Sequence, residues 1–191
     1  TWIAELAGVR TASAALTSGA QVTRLAEDGA GVLAFSRIDR DERREVLVAL
    51  NSADEPRTVE VPTWSRGGFT LLAGEAPESV MTDDAGVATV TVPAFGAVVY
   101  QAQQGIVEVS DIAVTLSEDA PETQGESDPG RLAVSASVDC DCYAEVSFWA
   151  RADGAWEHLG TDDAPPYQVM DVVSDLAPGT AVTYRAVVSD G

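Results

Sequence analysis

The sequence predicts an all-β fold of two consecutive antiparallel sandwiches, preceded by a helix. Short segments rich in β-branched and aromatic residues recur along the chain, and turn residues such as those at 83–86 separate them. A chain of 191 residues with 46% hydrophobic content can bury one large core or two small ones. Two small domains fit best, because a second run of strands with a different character and more acidic surroundings begins near residue 109.

Residues 1–19 are predicted to form a terminal helix. Its apolar residues recur at helical spacing and are Trp2, Ile3, Leu6 and Val9. A helix this short is not stable alone, so we expect its apolar stripe to pack on a domain that lies upstream in a longer polypeptide.

Residues 20–102 are predicted to form the first sandwich, a short linker follows at 103–108, and the second sandwich occupies 109–191. The second has six expected strands, one fewer than the usual seven of an immunoglobulin or fibronectin-like sandwich, so we expect its last strand to be missing. Trp149 is expected to lie between its sheets, and 117–129 to form a solvated loop. Strands are expected at 21–25, 32–38, 46–51, 58–61, 69–72, 87–92 and 97–101, then at 112–116, 132–138, 144–151, 156–160, 168–172 and 181–189.

The charge excludes two classes of partner. The chain has 11 Arg, no Lys and 31 acidic residues, which gives a formal net charge of -20. Such a surface repels phosphate backbones and anionic lipid headgroups, so we expect neither nucleic acid nor a membrane as a partner. No run of about 18 apolar residues is present to span a bilayer. The second half, with 17 acids and 3 Arg, is the more acidic.

Dispersed motifs of the first half resemble one family. They are Leu6, Arg10, Leu16 and Gly19, followed by 31–37 (Gly-Val-Leu-Ala-Phe-Ser-Arg), 48–51 (Val-Ala-Leu-Asn) and 92–100 (Val-Pro-Ala-Phe-Gly-Ala-Val-Val-Tyr). This pattern resembles the alpha-amylase superfamily (family 13) of glycoside hydrolases. In that family, a helix of the catalytic β/α barrel runs into a C-terminal sandwich called domain C. The resemblance covers residues 1–102 and implies that the barrel lies upstream.

The second half is similar to the immunoglobulin-like module that follows domain C in some secreted bacterial amylases and pullulanases. The matching segments are 144–148, 159–167, 176–180 and 184–190. The resemblance implies a secreted, extracellular protein and an accessory module. By itself it implies no activity, because many extracellular proteins contain such sandwiches.

No acid of this chain inherits a catalytic role from the family. Glycoside hydrolysis needs two carboxylates about 5–10 Å apart, and the family holds them on barrel strands. We therefore expect a non-catalytic accessory region of a secreted hydrolase acting on an alpha-glucan such as starch, pullulan or maltodextrin. Its partners would be the upstream catalytic barrel and the alpha-glucan. Two alternatives stay open, namely a stand-alone carbohydrate-binding protein and a structural spacer of a surface adhesin.

Cys140 and Cys142 are separated by one residue, and the sequence leaves open whether they form a local disulfide or remain free thiols. Zinc is a poor fit, because two thiolates and the single His158 do not complete a tetrahedral shell. Calcium suits the oxygen-rich pair Asp162 and Asp163 better. A second acidic cluster, formed by Asp39, Asp41 and Glu42, has neighbouring arginines and is better explained as a salt-bridged turn.

Trp64 and Trp156 are the candidate carbohydrate-binding residues. An exposed indole can stack on the apolar face of a pyranose ring, and both residues lie next to turn residues. The competing interpretation is that each is needed in the core of its small sandwich.

Overall fold

The computed structural model describes residues 2–119 and 130–190, and it confirms the all-β class. The chain divides into two compact units, Thr1–Val107 and Glu108–Gly191. No helix in the described ranges is long and apolar enough to cross a membrane. The first unit contains α1 (Trp2–Thr11), α2 (Ala14–Ser18), β1 (Ala20–Ala26), β2 (Val32–Asp39), β3 (Arg44–Asn51), β4 (Arg57–Pro62), β5 (Gly68–Ala73), β6 (Ser79–Met81), β7 (Val87–Val92) and β8 (Ala97–Ala102). The second contains β9 (Val114–Asp119), β10 (Arg131–Val138), β11 (Glu145–Arg151), β12 (Glu157–Asp162), β13 (Tyr167–Val172) and β14 (Thr183–Ser189).

The first unit is a sandwich of a six-stranded and a two-stranded antiparallel sheet. The large sheet has the order β1-β2-β3-β8-β5-β6, and β4 pairs with β7 in the small one. The apolar side chains that alternate along these strands meet between the two sheets, with Phe69 and Tyr100 as the largest. The period of two therefore fixes which face of each strand enters the core.

The two helices lie on the other side of the large sheet. Ser13 caps α2 by accepting a hydrogen bond from the Leu16 amide, which separates the predicted single helix into two. Ala15 and Leu16 of α2 pack on Val46, Val48 and Val99. Leu6 and Val9 of α1 pack against the same cluster and are themselves partly buried.

The second unit is a sandwich of two three-stranded antiparallel sheets, β13-β10-β9 and β12-β11-β14. Buried residues from both sheets form one core, with Val134 and Tyr167 on one side and Val146 and Phe148 on the other.

The expectation that Trp149 lies between the sheets of the second unit is wrong. The strand alternates, so that Val146, Phe148 and Ala150 point into the core, while Trp149 is on the outer face. Phe148 is fully buried and is the aromatic residue between the sheets. Neighbouring residues of a strand face opposite sides of the sheet, so the core receives Phe148 and the outer face receives Trp149.

Three further expectations differ in detail. The short strand β6 was not predicted, since it has three residues and only Val80 packs towards the core. β9 includes Ser117, which was expected in a loop, and the remainder of that loop at 120–129 lies outside the described residues. Within the expected linker, Ile106 is buried in the first unit, where its amide donates to the Arg43 carbonyl.

Candidate functional site

A buried polar cluster holds the interior of the first unit together at one end. Glu45 on β3 is fully buried, and its carboxylate accepts hydrogen bonds from the amides of Trp64 and Ser65 at 3.0 and 2.7 Å. The other carboxylate oxygen contacts the Arg24 guanidinium at 3.0 Å and the Ser36 hydroxyl. Each oxygen of the buried carboxylate thus has two donors, as a buried charge requires.

A β-bulge brings Arg24 into this cluster. The pairing of β1 with β2 shifts between Thr23 and Leu25, so Arg24 is an extra residue in the ladder. A bulge redirects a side chain that strict alternation would place elsewhere, and here the Arg24 guanidinium reaches Ser36 at 2.8 Å. The guanidinium also lies 4.0 Å from the ring centroid of Trp64. The cluster is therefore architectural, and it joins three strands to the loop after β4.

The outer face of the large sheet presents apolar side chains that the helices leave uncovered. In the ladder, Leu33 pairs with Leu50, and Leu50 pairs with Ala97. Leu33 and Leu50 are 41% and 40% exposed, although the neighbouring row of the same face, which contains Val48, is buried under the helices. We call the exposed pair Leu33 and Leu50 the apolar outer face.

A groove of about 220 Å³ lies between α1 and this sheet. It is lined by apolar side chains that include Leu6, Val9 and Phe35, with Arg10 and Arg37 at its polar positions. At the start of α1, Trp2 and Ile3 are 45% and 80% exposed. Exposed apolar side chains that lie together, as Leu33 and Leu50 do on the sheet, can mark a surface that contacts other protein. This face is thus the best candidate for a functional surface in the first unit.

The two candidate sugar-stacking residues have different environments. Trp64 is only 9% exposed and packs against Arg24, so its indole belongs to the interior and offers no platform to a glycan. Trp156 is partly exposed just before β12, and the Arg151 guanidinium lies 4.7 Å from its ring centroid. Of the two, only Trp156 presents aromatic surface to solvent.

Cys140 and Cys142 are joined by a disulfide in the turn between β10 and β11. Cys142 is buried at 6% exposure next to the fully buried Tyr143. The bond fixes the chain at the crossover from one sheet to the other.

In both acidic clusters, a carboxylate accepts hydrogen bonds from backbone amides. Asp162 accepts hydrogen bonds from the amides of Ala164 and Gln168, the latter at 2.8 Å. Asp39 does the same for the amides of Asp41 and Glu42, and Glu42 forms an ion pair with Arg44 at 3.3 Å. Across residues 2–119 and 130–190, no group of three or more His, Cys, Asp or Glu side chains is placed to hold a metal ion. Calcium at Asp162 and Asp163 stays a prediction.

Sequence reasoning missed the buried cluster and the apolar outer face. A signal for Glu45 was present, since it lies two residues before Leu47 and therefore on the core side of β3. The predicted strand began at 46 and excluded it. The bulge that turns Arg24 inward has no comparable sequence signal.

The chain is similar to one curated protein over nearly all of its length. It is 39% identical to an alpha-amylase of Streptomyces lividans over an alignment of 191 positions, which covers 98% of this chain and 20% of that protein. The chain thus spans about a fifth of the length of the relative that it matches. No protein-family model matches it.

Two solved structures, both of a debranching enzyme from Nostoc punctiforme, are also similar to part of the chain. One, soaked with acarbose, has 20% identity and a TM-score of 0.37, covering 50% of this chain and 18% of that one. The other has 22% identity and a TM-score of 0.40, covering 50% and 20%. Likeness at this level carries no weight here, whereas the 39% identity confirms the resemblance drawn from the sequence: this chain is a homologue of part of an alpha-amylase.

Proposed function

We propose that the chain is a non-catalytic accessory region of a secreted alpha-glucan hydrolase. In this proposal, the first unit is a domain C-like sandwich that stabilises the catalytic barrel, and the second is an immunoglobulin-like module that acts as a spacer or docking module. The observation that carries the proposal is the match of 98% of the chain to a fifth of an alpha-amylase.

The apolar outer face supports the first role and indicates its partner. Leu33 and Leu50 are ladder partners and are 41% and 40% exposed, while the adjoining row of the same face is buried under the helices. The occupant that we assign to this face is the catalytic part of the same polypeptide, because the homologous amylase has four fifths of its length outside the matched segment. Burial of both leucines would stabilise the contact between the first unit and the catalytic part by about 25 cal/mol per Å² of apolar area removed from water.

Secretion is supported by the disulfide of Cys140 and Cys142, since such bonds persist in oxidising compartments and are rare in reducing ones. The sheet orders of the second unit, with three strands in each sheet around one core, are typical of an immunoglobulin-like arrangement.

The test uses the complete polypeptide that contains residues 1–191, assayed on starch and pullulan. Leu50→Asp places a charge on the apolar outer face, and Met170→Asp is the matched control, because Met170 is an exposed strand residue of the second unit at 55% exposure. We expect Leu50→Asp to lower the midpoint of thermal unfolding of the catalytic part by about 5 °C. The control should leave this midpoint unchanged.

Two results would overturn the proposal. One is a complete polypeptide without hydrolytic activity on either glucan, which would favour a spacer or a stand-alone binding protein. The other is an equal midpoint for both variants in the active enzyme. The same substitutions in the isolated chain separate docking from folding, because there Leu50→Asp should cost no more than about 1 kcal/mol.

A further inference from the structure

The outer face of the sheet β12-β11-β14 carries the exposed aromatic residues of the second unit. Trp149 on β11 is flanked in the ladder by His158 of β12 and Arg185 of β14. Two residues further along the same face is Arg151, whose guanidinium lies over Trp156. Trp149 and Trp156 are partly exposed, and His158, Arg151 and Arg185 are exposed.

The central aromatic pair is held in place by its neighbours. The rings of Trp149 and His158 are 4.6 Å apart between centroids and tilted by 47°. His158 Nε2 lies 3.3 Å from the Thr161 hydroxyl, which in turn lies 2.8 Å from the Ser147 hydroxyl. These contacts place an indole, an imidazole and two hydroxyl groups on one sheet face, so the aromatic surface is flanked by hydrogen-bonding groups.

The surface extends along β11, because Trp149 and Arg151 lie on the same face of the strand. Trp149 and Arg151 are two residues apart along β11, or about 7 Å, and the Arg151 guanidinium lies over the Trp156 ring. The face therefore presents two indoles to an extended ligand, one at Trp149 and one beside Arg151. Arg151 and Arg185 contribute hydrogen-bond donors that point to the same side as Trp149.

The charge of the unit selects against an anionic ligand. Residues 108–191 contain 17 acids and 3 Arg, and two of those three arginines lie on this face. A strongly negative domain repels polyanions over its whole surface, whereas a neutral polyhydroxylated chain is not repelled. Aromatic faces, hydroxyl groups and fixed donors together match the alternating apolar and hydroxyl surfaces of a sugar polymer.

We propose that this face, formed by Trp149, Trp156, His158, Arg151 and Arg185, binds an alpha-glucan chain. The polymer stacks on Trp149 and Trp156, while the two arginines and His158 donate to its hydroxyl groups. The choice of an alpha-glucan among neutral polysaccharides rests on the function proposed above. The second unit thereby holds the enzyme on its polymeric substrate.

The experiment is a titration of the isolated 191-residue chain with maltoheptaose, followed by calorimetry and by amide chemical shifts. We expect binding at millimolar concentration, with shifts confined to β11, β12 and β14. Trp149→Ala should weaken binding about tenfold. Phe95→Ala is the matched control, because Phe95 is an aromatic residue of the first unit at 74% exposure, and its removal should leave the affinity unchanged.

Three outcomes would overturn the inference. They are the absence of binding, shifts confined to the sheet β13-β10-β9, and an unchanged affinity in Trp149→Ala. Equal binding of cellohexaose would overturn the assignment to alpha-glucans. The shifts of the unsubstituted chain decide the location even if a variant folds poorly. Loss of this site would leave the docking of the first unit intact in the complete enzyme, so the two proposals fail independently.

Discussion

The two units are both antiparallel sandwiches, yet they fill their interiors in different ways. The first buries an ion pair, Arg24 with Glu45, beside its apolar residues. The second has an apolar and aromatic core centred on Phe148, with a disulfide at the crossover between its sheets. The comparison teaches that the period of two along the strands defines both cores, while the first unit additionally depends on satisfying a buried carboxylate.

The outer faces of the two units also differ. Leu33 and Leu50 present an apolar surface that suits contact with protein, whereas Trp149 and His158 stand among hydroxyl and guanidinium groups that suit a polar ligand. Similar architecture thus allows two kinds of partner, because the residues facing outward are not needed to define the core.

Glu45→Ala tests the polar interior of the first unit and should have the largest effect. It leaves the Arg24 charge and the amides of Trp64 and Ser65 without an acceptor inside the sandwich. We expect a loss of about 3–5 kcal/mol in the free energy of unfolding, measured by urea denaturation. Glu45→Gln keeps the shape and should lose about 2 kcal/mol. A cost below 1 kcal/mol for Glu45→Ala would contradict the role of the cluster.

Phe148→Ala and Trp149→Ala test the period of two in the second unit. Phe148 is fully buried, so its truncation should cost about 3–5 kcal/mol. Trp149 lies on the outer face, so its truncation should cost less than about 1 kcal/mol. Thermal unfolding of both variants, monitored by circular dichroism, measures the difference. Equal costs would show that the indole contributes to the core.

Removal of the disulfide tests how far the second unit relies on it. Cys140 and Cys142 have a sequence separation of 2, so the bond closes a very short loop and restricts the unfolded chain little. The double variant Cys140→Ala with Cys142→Ala should lose about 1–2 kcal/mol, measured by urea denaturation. Reduction of the unsubstituted chain with dithiothreitol is the control and should give a similar loss. Complete unfolding on reduction would show that the apolar core is insufficient.

Tyr100→Phe tests another buried polar group of the first unit. Burial raises the pKa of the Tyr100 phenol above its ordinary value of 10.0, and its hydroxyl donates to the Pro77 carbonyl at 2.9 Å. Because the folded state disfavours the phenolate, the stability that it contributes is complete below pH 10.0 and is lost as the pH rises through the folded pKa. Tyr100→Phe should cost about 1 kcal/mol at neutral pH and should decline less steeply in alkali. Unfolding midpoints measured from pH 8 to about 12 would test this, and parallel profiles would contradict it.

The strands could be predicted because they combine β-branched alternation with turn residues. β7 was predicted with its observed bounds, Val87–Val92, and most other strands to within one or two residues. The three-residue β6 carries too few residues for such a pattern. The face on which each side chain lies was less secure. Phe148 and Trp149 are neighbours in the same strand, and a strand pattern displaced by one residue would place the other of the two in the core.

The candidate sites depended more strongly on the fold. Trp64 and Trp156 looked alike in sequence, each beside a turn, yet one packs in the interior against Arg24 and the other is partly exposed beside Arg151. The proposed glucan-binding face combines four residues within 149–158 with Arg185 of β14, so the local sequence marks only part of it.

By itself, the sequence determined the all-β class, nearly all of the strands, the strongly negative charge and the resemblance to an alpha-amylase region. All of these follow from local patterns, composition or motifs that are visible in the linear sequence. Only the tertiary structure decided that Arg24 turns inward, that Trp149 turns outward and that Leu33 and Leu50 remain uncovered. Each of these depends on register, a bulge or the position of a helix, and such features arise only when distant segments pack together.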